Sequence, residues 1–184
     1  MACGRWRADR EVALLHRQLG ISPDYAASRG LSLQREAEFS DLVTIAVQGQ
    51  REVQLVARAA QAWTHMSAAA RGAGITLLPI SGFRSVVRQA EIIRRKLVEG
   101  QSLQTILRIN AAPGFSEHHS GRALDIGTST HSQLMETFEA TAAFTWLTAH
   151  AGEFGFTMSY PRNNRCGIGY EPWHWCWHER LRKA

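Results

Sequence analysis

Two histidines and an aspartate in this 184-residue chain have the types and spacing of a metal site. His118 lies seven residues before Asp125, and the Ser120-Gly121 pair between them can turn the chain so that both side chains converge. His174 would supply a third ligand. Two imidazoles and one carboxylate suit Zn²⁺, and three protein ligands leave a fourth position for water, as in catalytic sites. The same donors form the facial triad of mononuclear iron oxygenases, so iron stays an alternative.

Glu171 has the position of a general base for such a site. It lies three residues before His174, so a local turn is needed to bring both side chains to one centre, and Pro172 restricts that turn. A carboxylate beside a metal-activated water can take the proton of that water and later protonate a leaving amine. These residue types together predict hydrolysis.

Asp125 stands between Leu124 and Ile126 in an apolar run. A buried, unpaired carboxylate is costly, so this residue needs a cation or several donors. A salt bridge to an arginine is the alternative to a metal. His119 is adjacent to a proposed ligand, and we interpret it as a satisfied core residue rather than a ligand.

The elements that must position these residues are short and mixed. Gly and Pro positions, a serine cap at residue 85 and apolar periodicity indicate where they begin and end. We predict α+β architecture, with a small, largely antiparallel sheet flanked by helices. Residues 1–40 are interpreted as an N-terminal helical extension and linker, and residues 41–184 as one domain. The predicted helices are 8–19, 50–71, 85–100, a possible extension over 102–110, and roughly 139–150; the predicted strands are 41–47, 75–83, 122–128, 156–160 and segments of 167–175.

Composition excludes few classes of function. A net charge of +5 and a pI of about 9.6 select no partner, because the arginines are scattered and a solvated basic surface explains them. No stretch approaches the ~20 apolar residues of a membrane span, and no leader is visible, so the default location is cytoplasmic, or the periplasm or cell envelope if a leader is missing. Cys3, Cys166 and Cys176 are expected to be free thiols, although the last two could pair in an oxidising compartment.

Three motifs together resemble a known family. The segment SEHHSGRALD resembles the SxHxxGxAxD motif, and EPWH resembles the ExxH motif, of zinc D-alanyl-D-alanine carboxypeptidases of the VanY type. The segment SGFRSVVRQ (81–89) is similar to the family's SG(Y/F)RS…Q segment. The resemblance covers about residues 41–177, with the motifs in the family's order. It implies the fold shared by lysostaphin-like enzymes, D-Ala-D-Ala peptidases and the signalling domain of hedgehog.

The resemblance also implies roles for single residues. His118, Asp125 and His174 would bind one Zn²⁺ ion, and Glu171 would be the base. Arg84 would hold the substrate and help to polarise its carbonyl, a task that suits a planar guanidinium with several fixed donors. Further residues are expected to line or support the substrate pocket: Ser116, Gln89 and Trp173.

We therefore expect a zinc-dependent D,D-carboxypeptidase that releases the C-terminal D-alanine of peptidoglycan-type peptides or muropeptides, with no nucleic-acid partner. One alternative is an endopeptidase of the same fold that cuts between L-alanine and D-glutamate. Another is a non-catalytic zinc module that binds a partner, against which the joint presence of Glu171 and Arg84 argues. The pattern after His174, WCWHE, differs from the basic and aromatic pair common among the relatives, which leaves substrate detail open.

Overall fold

A computed structural model describes the backbone of residues 2–179 and the side chains of residues 10–179. Helices and strands alternate irregularly along this part of the chain. The helices are α1 (Ala2–Leu19), α2 (Tyr25–Arg29), α3 (Ala57–Gly72), α4 (Val86–Val98), α5 (Leu103–Ile109) and α6 (Ala142–His150), and the strands are β1 (Leu42–Gln48), β2 (Arg51–Val56), β3 (Leu78–Ser81), β4 (Ala123–Gly127), β5 (Phe156–Met158) and β6 (His174–Trp177). Among these residues no helix is long and apolar enough to cross a membrane.

The strands form two antiparallel sheets, which confirms the predicted architecture. The first is a hairpin of β1 and β2, and the second has the order β3-β4-β6-β5. In the second sheet β4 is central, and all five of its residues are buried. Its register pairs Asp125 with Ser81 of β3 on one side and with His174 of β6 on the other. The sheet therefore places two of the predicted metal ligands side by side.

The prediction of one helix over residues 50–71 is wrong for its first part. Residues 51–56 form β2, and the helix begins only at Ala57. Val53 and Val56 fit a helical face, but the segment also pairs with β1, and Val53 and Leu55 on one face of the strand are buried in the apolar core. Alternation with period two thus outweighs the helical spacing here, because the neighbouring strand supplies backbone partners.

The other differences from prediction are smaller. The segment 21–34 contains the short helix α2, which ends at Gly30 in the left-handed conformation. Residues 167–173 do not form a strand, and only His174–Trp177 pair in the sheet. The predicted serine cap is confirmed, because Ser85 accepts a backbone hydrogen bond at the first turn of α4. Ser102 caps α5 in the same way, which was not predicted. Cys166 and Cys176 are free thiols.

The described residues contain three buried apolar clusters, of which two are large. The larger one packs α3 and α6 against the four-stranded sheet and the buried side of β2. The smaller one joins the end of α1 and α2 to α4 and α5, through Leu19, Ile21 and Tyr25 on one side and Ile93 and Ile106 on the other. The four-stranded sheet and α4 thus belong to different apolar clusters, and residues of both line one pocket.

Candidate active site

His118, Asp125 and His174 meet in the interior of the protein. His118 lies in a short 3-10 turn (Glu117–Ser120) directly before β4, Asp125 lies in the middle of β4, and His174 begins β6. One ligand atom from each lies within 4.8 Å of the others. Their exposed fractions are 4%, 3% and 2%. The structure thus brings together the three side chains that the sequence predicts as metal ligands.

The geometry of the turn before β4 depends on Gly121. This residue has φ +64°, and an added Cβ would lie 3.0 Å from the side chain of Val56. Its carbonyl accepts a hydrogen bond from the backbone of Val56 at 2.9 Å. A residue with a side chain would be strained there, so glycine lets the chain turn tightly against β2 and enter β4 with His118 facing Asp125.

His118 is held with one ring nitrogen free for a ligand. Its Nδ1–H donates to the carbonyl of Gly82 at 2.7 Å, and Nε2 lies 3.3 Å from Oδ2 of Asp125. Burial lowers the pKa of this histidine, against the opposing charge of Asp125. A neutral ring with Nδ1 protonated has a lone pair on Nε2, which is the form that binds a metal.

His174 lies between two carboxylates. Its Nδ1 is 3.0 Å from Oδ1 of Asp125, and its Nε2 is 2.9 Å from Oε2 of Glu117. Burial alone would lower the pKa of His174, but the hydrogen bonds to these two carboxylates outweigh it and raise the pKa to about 10. The ring of Tyr160 lies against the imidazole, with centroids 4.8 Å apart.

Asp125 is ionised in this setting. Burial raises its pKa, but the charges and hydrogen bonds of His118 and His174 lower it well below the usual range. Its partners are these two histidines rather than an arginine. One buried carboxylate and two imidazole nitrogens facing a common centre fit a divalent ion such as Zn²⁺.

Glu171 approaches the same centre from the loop before β6. Its Oε2 lies 3.8 Å from Nδ1 of His174, and the backbone N–H of His174 donates to its carbonyl, which is the local turn that the spacing requires. Burial raises the pKa of Glu171 to about 7, with a contribution from the charge of Asp125 and opposition from His174 and Arg84. A carboxyl group with this pKa can both accept and donate a proton near neutral pH.

Arg84 is fixed beside these groups. Its Nη1 donates to Oε1 of Gln89 at 2.8 Å and its Nη2 lies 3.4 Å from Oγ of Ser81, so its hydrogen bonds go to neutral groups. Gln89 in turn donates to the carbonyl of Ala111 at 2.7 Å. Burial lowers the pKa of Arg84, against the charges of Asp125 and Glu171. The guanidinium therefore keeps unused donors close to the candidate metal centre.

His119 is fully buried, and both of its ring nitrogens form hydrogen bonds with backbone groups. Its Nδ1–H donates to the carbonyl of Arg84 at 2.6 Å, and its Nε2 accepts from the N–H of Gly114 at 3.1 Å. Burial lowers its pKa to about 4. The neutral ring thus ties the loop that carries His118 to the segment that carries Arg84.

All the predicted site residues line one pocket of about 330 Å³. Gln89 and Ser116 are buried in its wall, and Trp173 lies at its side. Several lining residues were not predicted, and they come from five separate segments: Lys96, Ile109, Asn110, Ala111, Leu134, Glu136, Tyr160, Ile168, Gly169 and Tyr170. Their sequence contexts carry no chemical motif, so only the fold identifies them.

Glu117 contacts the proposed ligand His174 and was not predicted from the sequence. Burial raises its pKa, but the hydrogen bond with His174 outweighs this and lowers it to about 2, so the group is ionised. A signal was present, since Glu117 directly precedes His118. What the sequence could not show is that the side chain reaches across to β6.

Comparisons with known proteins find relatives of this chain among carboxypeptidases. The sequence profile of the VanY family, described as D-alanyl-D-alanine carboxypeptidase, matches residues 52–180. A protein named as a carboxypeptidase, YodJ of Bacillus subtilis, is 32% identical over 172 residues, which is 89% of this chain and 58% of YodJ. A D-alanyl-D-alanine carboxypeptidase of Enterococcus faecalis is 32% identical over 118 residues, or 58% of this chain and 42% of the relative. The chain thus spans about half the length of these relatives.

Solved structures give the same result for the fold. The LdcB LD-carboxypeptidase is 33% identical with a TM-score of 0.67, covering 77% of this chain and 69% of that one. VanYB in complex with D-alanine-D-alanine is 25% identical with a TM-score of 0.61, covering 82% and 86%. A VanY variant with Zn(II), at 24% identity and a TM-score of 0.60 over 82% of this chain and 87% of that one, shares the fold.

Proposed function

Because the chain belongs to the VanY family of D-alanyl-D-alanine carboxypeptidases, we propose that it is a zinc-dependent D,D-carboxypeptidase that removes the terminal D-alanine from peptidoglycan-type peptides. The observation that carries this proposal is the meeting of His118, Asp125, His174, Glu171 and Arg84 in one pocket. Two of these are the acid-base and anion-binding groups that hydrolysis of a peptide end requires, and the other three are donors suited to zinc.

The metal proposal rests on the donor set. His118 and His174 each engage one ring nitrogen elsewhere and face Asp125 with the other, so three donors remain for one ion. The VanY variant that shares the fold was solved with Zn(II), which supports zinc rather than iron. When bound, zinc supplies a Lewis acid for the scissile carbonyl and lowers the pKa of a water molecule.

Glu171 is proposed to move the proton. In the first step its carboxylate accepts a proton from the attacking water while the oxygen adds to the carbonyl carbon. In the second step the Glu171 carboxyl group gives that proton to the nitrogen of the leaving D-alanine as the C–N bond breaks. The pKa of about 7 suits both transfers, because the group is close to balanced between its two forms.

Arg84 is proposed to hold the substrate through its unused N–H donors, directed at the carbonyl oxygen or the terminal carboxylate. Gln89 fixes the guanidinium plane by a 2.8 Å hydrogen bond, so little side-chain freedom is lost on binding. Ser116 and Trp173 are proposed as pocket walls: both line the pocket, and the serine is buried directly before the ligand turn.

A second candidate is an L,D-carboxypeptidase, which removes D-alanine from an L-residue. LdcB, described as an LD-carboxypeptidase, is 33% identical to this chain over most of its length, a higher identity than that of VanYB. The two reactions use the same proton transfers and differ in the configuration of the residue before the scissile bond. Both fit the groups found in the pocket.

The test combines metal analysis with product analysis. The purified protein is assayed for zinc and iron, and then incubated with a peptide ending in D-Ala-D-Ala, a peptide ending in L-residue-D-Ala, and a muropeptide with an intact L-Ala-D-Glu bond. We expect about one zinc per chain and release of D-alanine from the first peptide, detected by mass spectrometry. Release only from the second peptide supports the L,D alternative.

Other outcomes overturn the proposal. Cleavage at the L-Ala-D-Glu bond alone identifies an endopeptidase. Stoichiometric iron with no peptide cleavage favours oxygenase chemistry. Bound zinc with no turnover on any substrate indicates a non-catalytic module.

A further inference from the structure

We infer that Glu117 is a positioning residue for the metal centre: its carboxylate fixes the tautomer and orientation of His174 so that Nδ1 faces the ion. The inference rests on the proposed metal site and adds a residue to it. Glu117 is not itself one of the three converging donors, which are His118, Asp125 and His174. It acts on the ion through His174, to whose Nε2 it lies at 2.9 Å.

The two histidines are held in opposite senses. His118 donates from Nδ1 to the neutral carbonyl of Gly82, which leaves Nε2 for the ion. His174 has its Nε2 against the charged carboxylate of Glu117, which leaves Nδ1 near Asp125 and Glu171. The tautomer of a histidine is set by the hydrogen bond that its other nitrogen makes. The two rings therefore present different nitrogens to Asp125, and of the two nitrogens that face away from it only that of His174 has an anionic partner.

The local fold explains why Glu117 can do this. The 3-10 turn Glu117–Ser120 carries both Glu117 and His118, so a single turn supplies one ligand and the partner of another. Oγ of Ser120 donates to the backbone carbonyl of Glu117 at 2.6 Å and stiffens the turn. The ring of Tyr160 at 4.8 Å limits the tilt of the His174 imidazole from the other direction. His174 is thus fixed by a charge at its edge and by an aromatic ring at its face.

A carboxylate on the outer nitrogen of a ligating histidine raises the basicity of the ring and fixes its direction. Loss of such a partner typically reduces metal affinity by about 10- to 100-fold. Glu117→Gln keeps an oxygen that can accept from Nε2 but removes the charge. Glu117→Ala removes both. We therefore expect zinc affinity to fall in the order wild type, Gln variant, Ala variant, with the total loss between about 10- and 100-fold.

The experiment measures the dissociation constant of zinc by competition with a chromophoric chelator, which does not depend on peptidase activity. Glu153→Gln is the matched control, because Glu153 also lies 3.0 Å from a histidine nitrogen, that of His150, but on the exposed surface. The control is expected to bind zinc as the wild type does. Far-UV circular dichroism and urea unfolding of the metal-free variants show whether each has kept its fold.

A second readout is specific for positioning. Long-range ¹H–¹⁵N NMR spectra of the zinc-loaded protein are expected to show His174 with Nδ1 bound to metal and Nε2 protonated, and His118 with the reverse assignment. Zinc on Nε2 of His174 would overturn the inference. So would a change in affinity below about threefold in a folded Glu117→Ala variant, against the 10-fold minimum expected for such a partner.

The inference and the proposed function fail in different ways. If the wild-type protein binds no zinc, the proposed function is wrong. If the wild type binds zinc and cleaves peptide while both Glu117 variants bind zinc as tightly, only the role of Glu117 is wrong. A Glu117→Gln variant that keeps the His174 tautomer but binds zinc less tightly than the wild type would separate the effect of the charge from that of the hydrogen bond. Such a result supports the inference, which includes both effects.

Discussion

Glu171, the proposed base, lies beside the three proposed metal ligands and is not one of them. It lies 3.8 Å from the nearest nitrogen of His174 and is not needed to complete the group of three donors. We predict that Glu171→Gln lowers kcat/KM by about 10²- to 10⁴-fold, the usual contribution of an acid-base group, and leaves zinc affinity almost unchanged. Steady-state kinetics and chelator competition on the same preparation check this. A Gln variant with full activity would show that another group is the base.

The pH dependence of catalysis follows from the same residue. Because the base must be ionised to accept a proton, kcat/KM is expected to fall about tenfold per pH unit below the pKa of Glu171. That pKa is about 7 without metal, and a bound cation lowers it, so the midpoint of the acidic limb is expected at or below pH 7.

A variant of Arg84 tests whether Glu171 is the group that titrates on the acidic limb of the pH–rate profile. Its charge lowers the pKa of Glu171, so Arg84→Gln is expected to move the limb to higher pH as well as to weaken substrate binding. A rate profile for the variant over pH 5–9 measures the shift. A limb that stays in place would mean that a different group titrates.

The lowered pKa of His119 predicts that the free energy of unfolding depends on pH. Its folded pKa is lowered to about 4 by burial, from an ordinary 6.5, so the unfolded chain binds the proton more readily. The stability that this group contributes is present above pH 6.5 and is lost as the pH falls towards 4. We expect about 2–3 kcal/mol of destabilisation between pH 7 and 4.5 from this residue.

Urea unfolding of the metal-free protein at both pH values measures this loss. The variant His119→Gln can still accept from Gly114 and does not titrate, so it is expected to show a smaller difference between the two pH values than the wild type. An equal difference in both proteins would contradict the assignment.

The chemically distinctive residues could be predicted from the sequence, but their partners could not. His118, Asp125, His174 and Glu171 stand out because few functions need those types at that spacing, and the structure brings them to one place. The groups that orient them have no distinctive sequence pattern: the backbone carbonyl of Gly82, the ring of Tyr160 and the carboxylate of Glu117. Such contacts depend on how β4, β6 and the preceding turn pack, and no local pattern encodes that.

At the scale of elements, the close approach of β2 to the end of β3 positions the first ligand. The backbone N–H of Phe83 donates to the carbonyl of Gln54 at 2.7 Å, and an added Cβ on Gly82 would lie 2.3 Å from that carbonyl oxygen. Gly82 also accepts the hydrogen bond of His118. Glycine is therefore required for β2 and the ligand turn to meet at this point.

We predict that Gly82→Ala destabilises the protein by about 1–3 kcal/mol and weakens zinc binding, because the backbone must move away from both Gln54 and His118. Gly72→Ala is the control, since no atom lies within 4 Å of its added Cβ and it lies at the end of α3. Chemical unfolding and chelator competition of the two variants give the comparison. Equal stability of both would show that β2 does not restrain the site.

The error over residues 51–56 shows a limit of periodicity at this scale. Within the run REVQLV, the apolar residues Val53, Leu55 and Val56 fit both a helix and a strand, and six residues are too few to distinguish them. Pairing with β1 decides that residues 51–56 form a strand, and this pairing runs from Leu42–Val56 to Gln48–Arg51. Longer elements such as α4, with a clear cap and a continuous apolar face, were predictable because their own sequence decides them.

At the scale of the whole molecule, the segment before residue 41 is packed into the structure. The hydroxyl of Tyr25 accepts from the N–H of Ala112 at 3.1 Å, and His16 contacts the carbonyl of Pro113 at 2.8 Å. Backbone hydrogen bonds from Gln34 to Gly114 and from Ala37 to His119 continue the contact up to the ligand turn. We therefore propose that the division at residue 40, drawn from the sequence, does not separate two folding units.

Two variants test this unity. Removal of residues 1–40 takes away Leu19, Ile21 and Tyr25, each buried in the cluster with α4 and α5. Each such side chain contributes about 1.5–3 kcal/mol, so the sum is comparable to the whole stability of a typical domain, and the truncated chain is expected to lose cooperative unfolding.

Tyr25→Phe leaves the Ala112 N–H without its partner and is expected to cost about 1–3 kcal/mol while the fold is kept. Thermal and urea unfolding measure both changes. A truncated chain that unfolds at the same midpoint as the full chain would show that residues 41–184 fold independently.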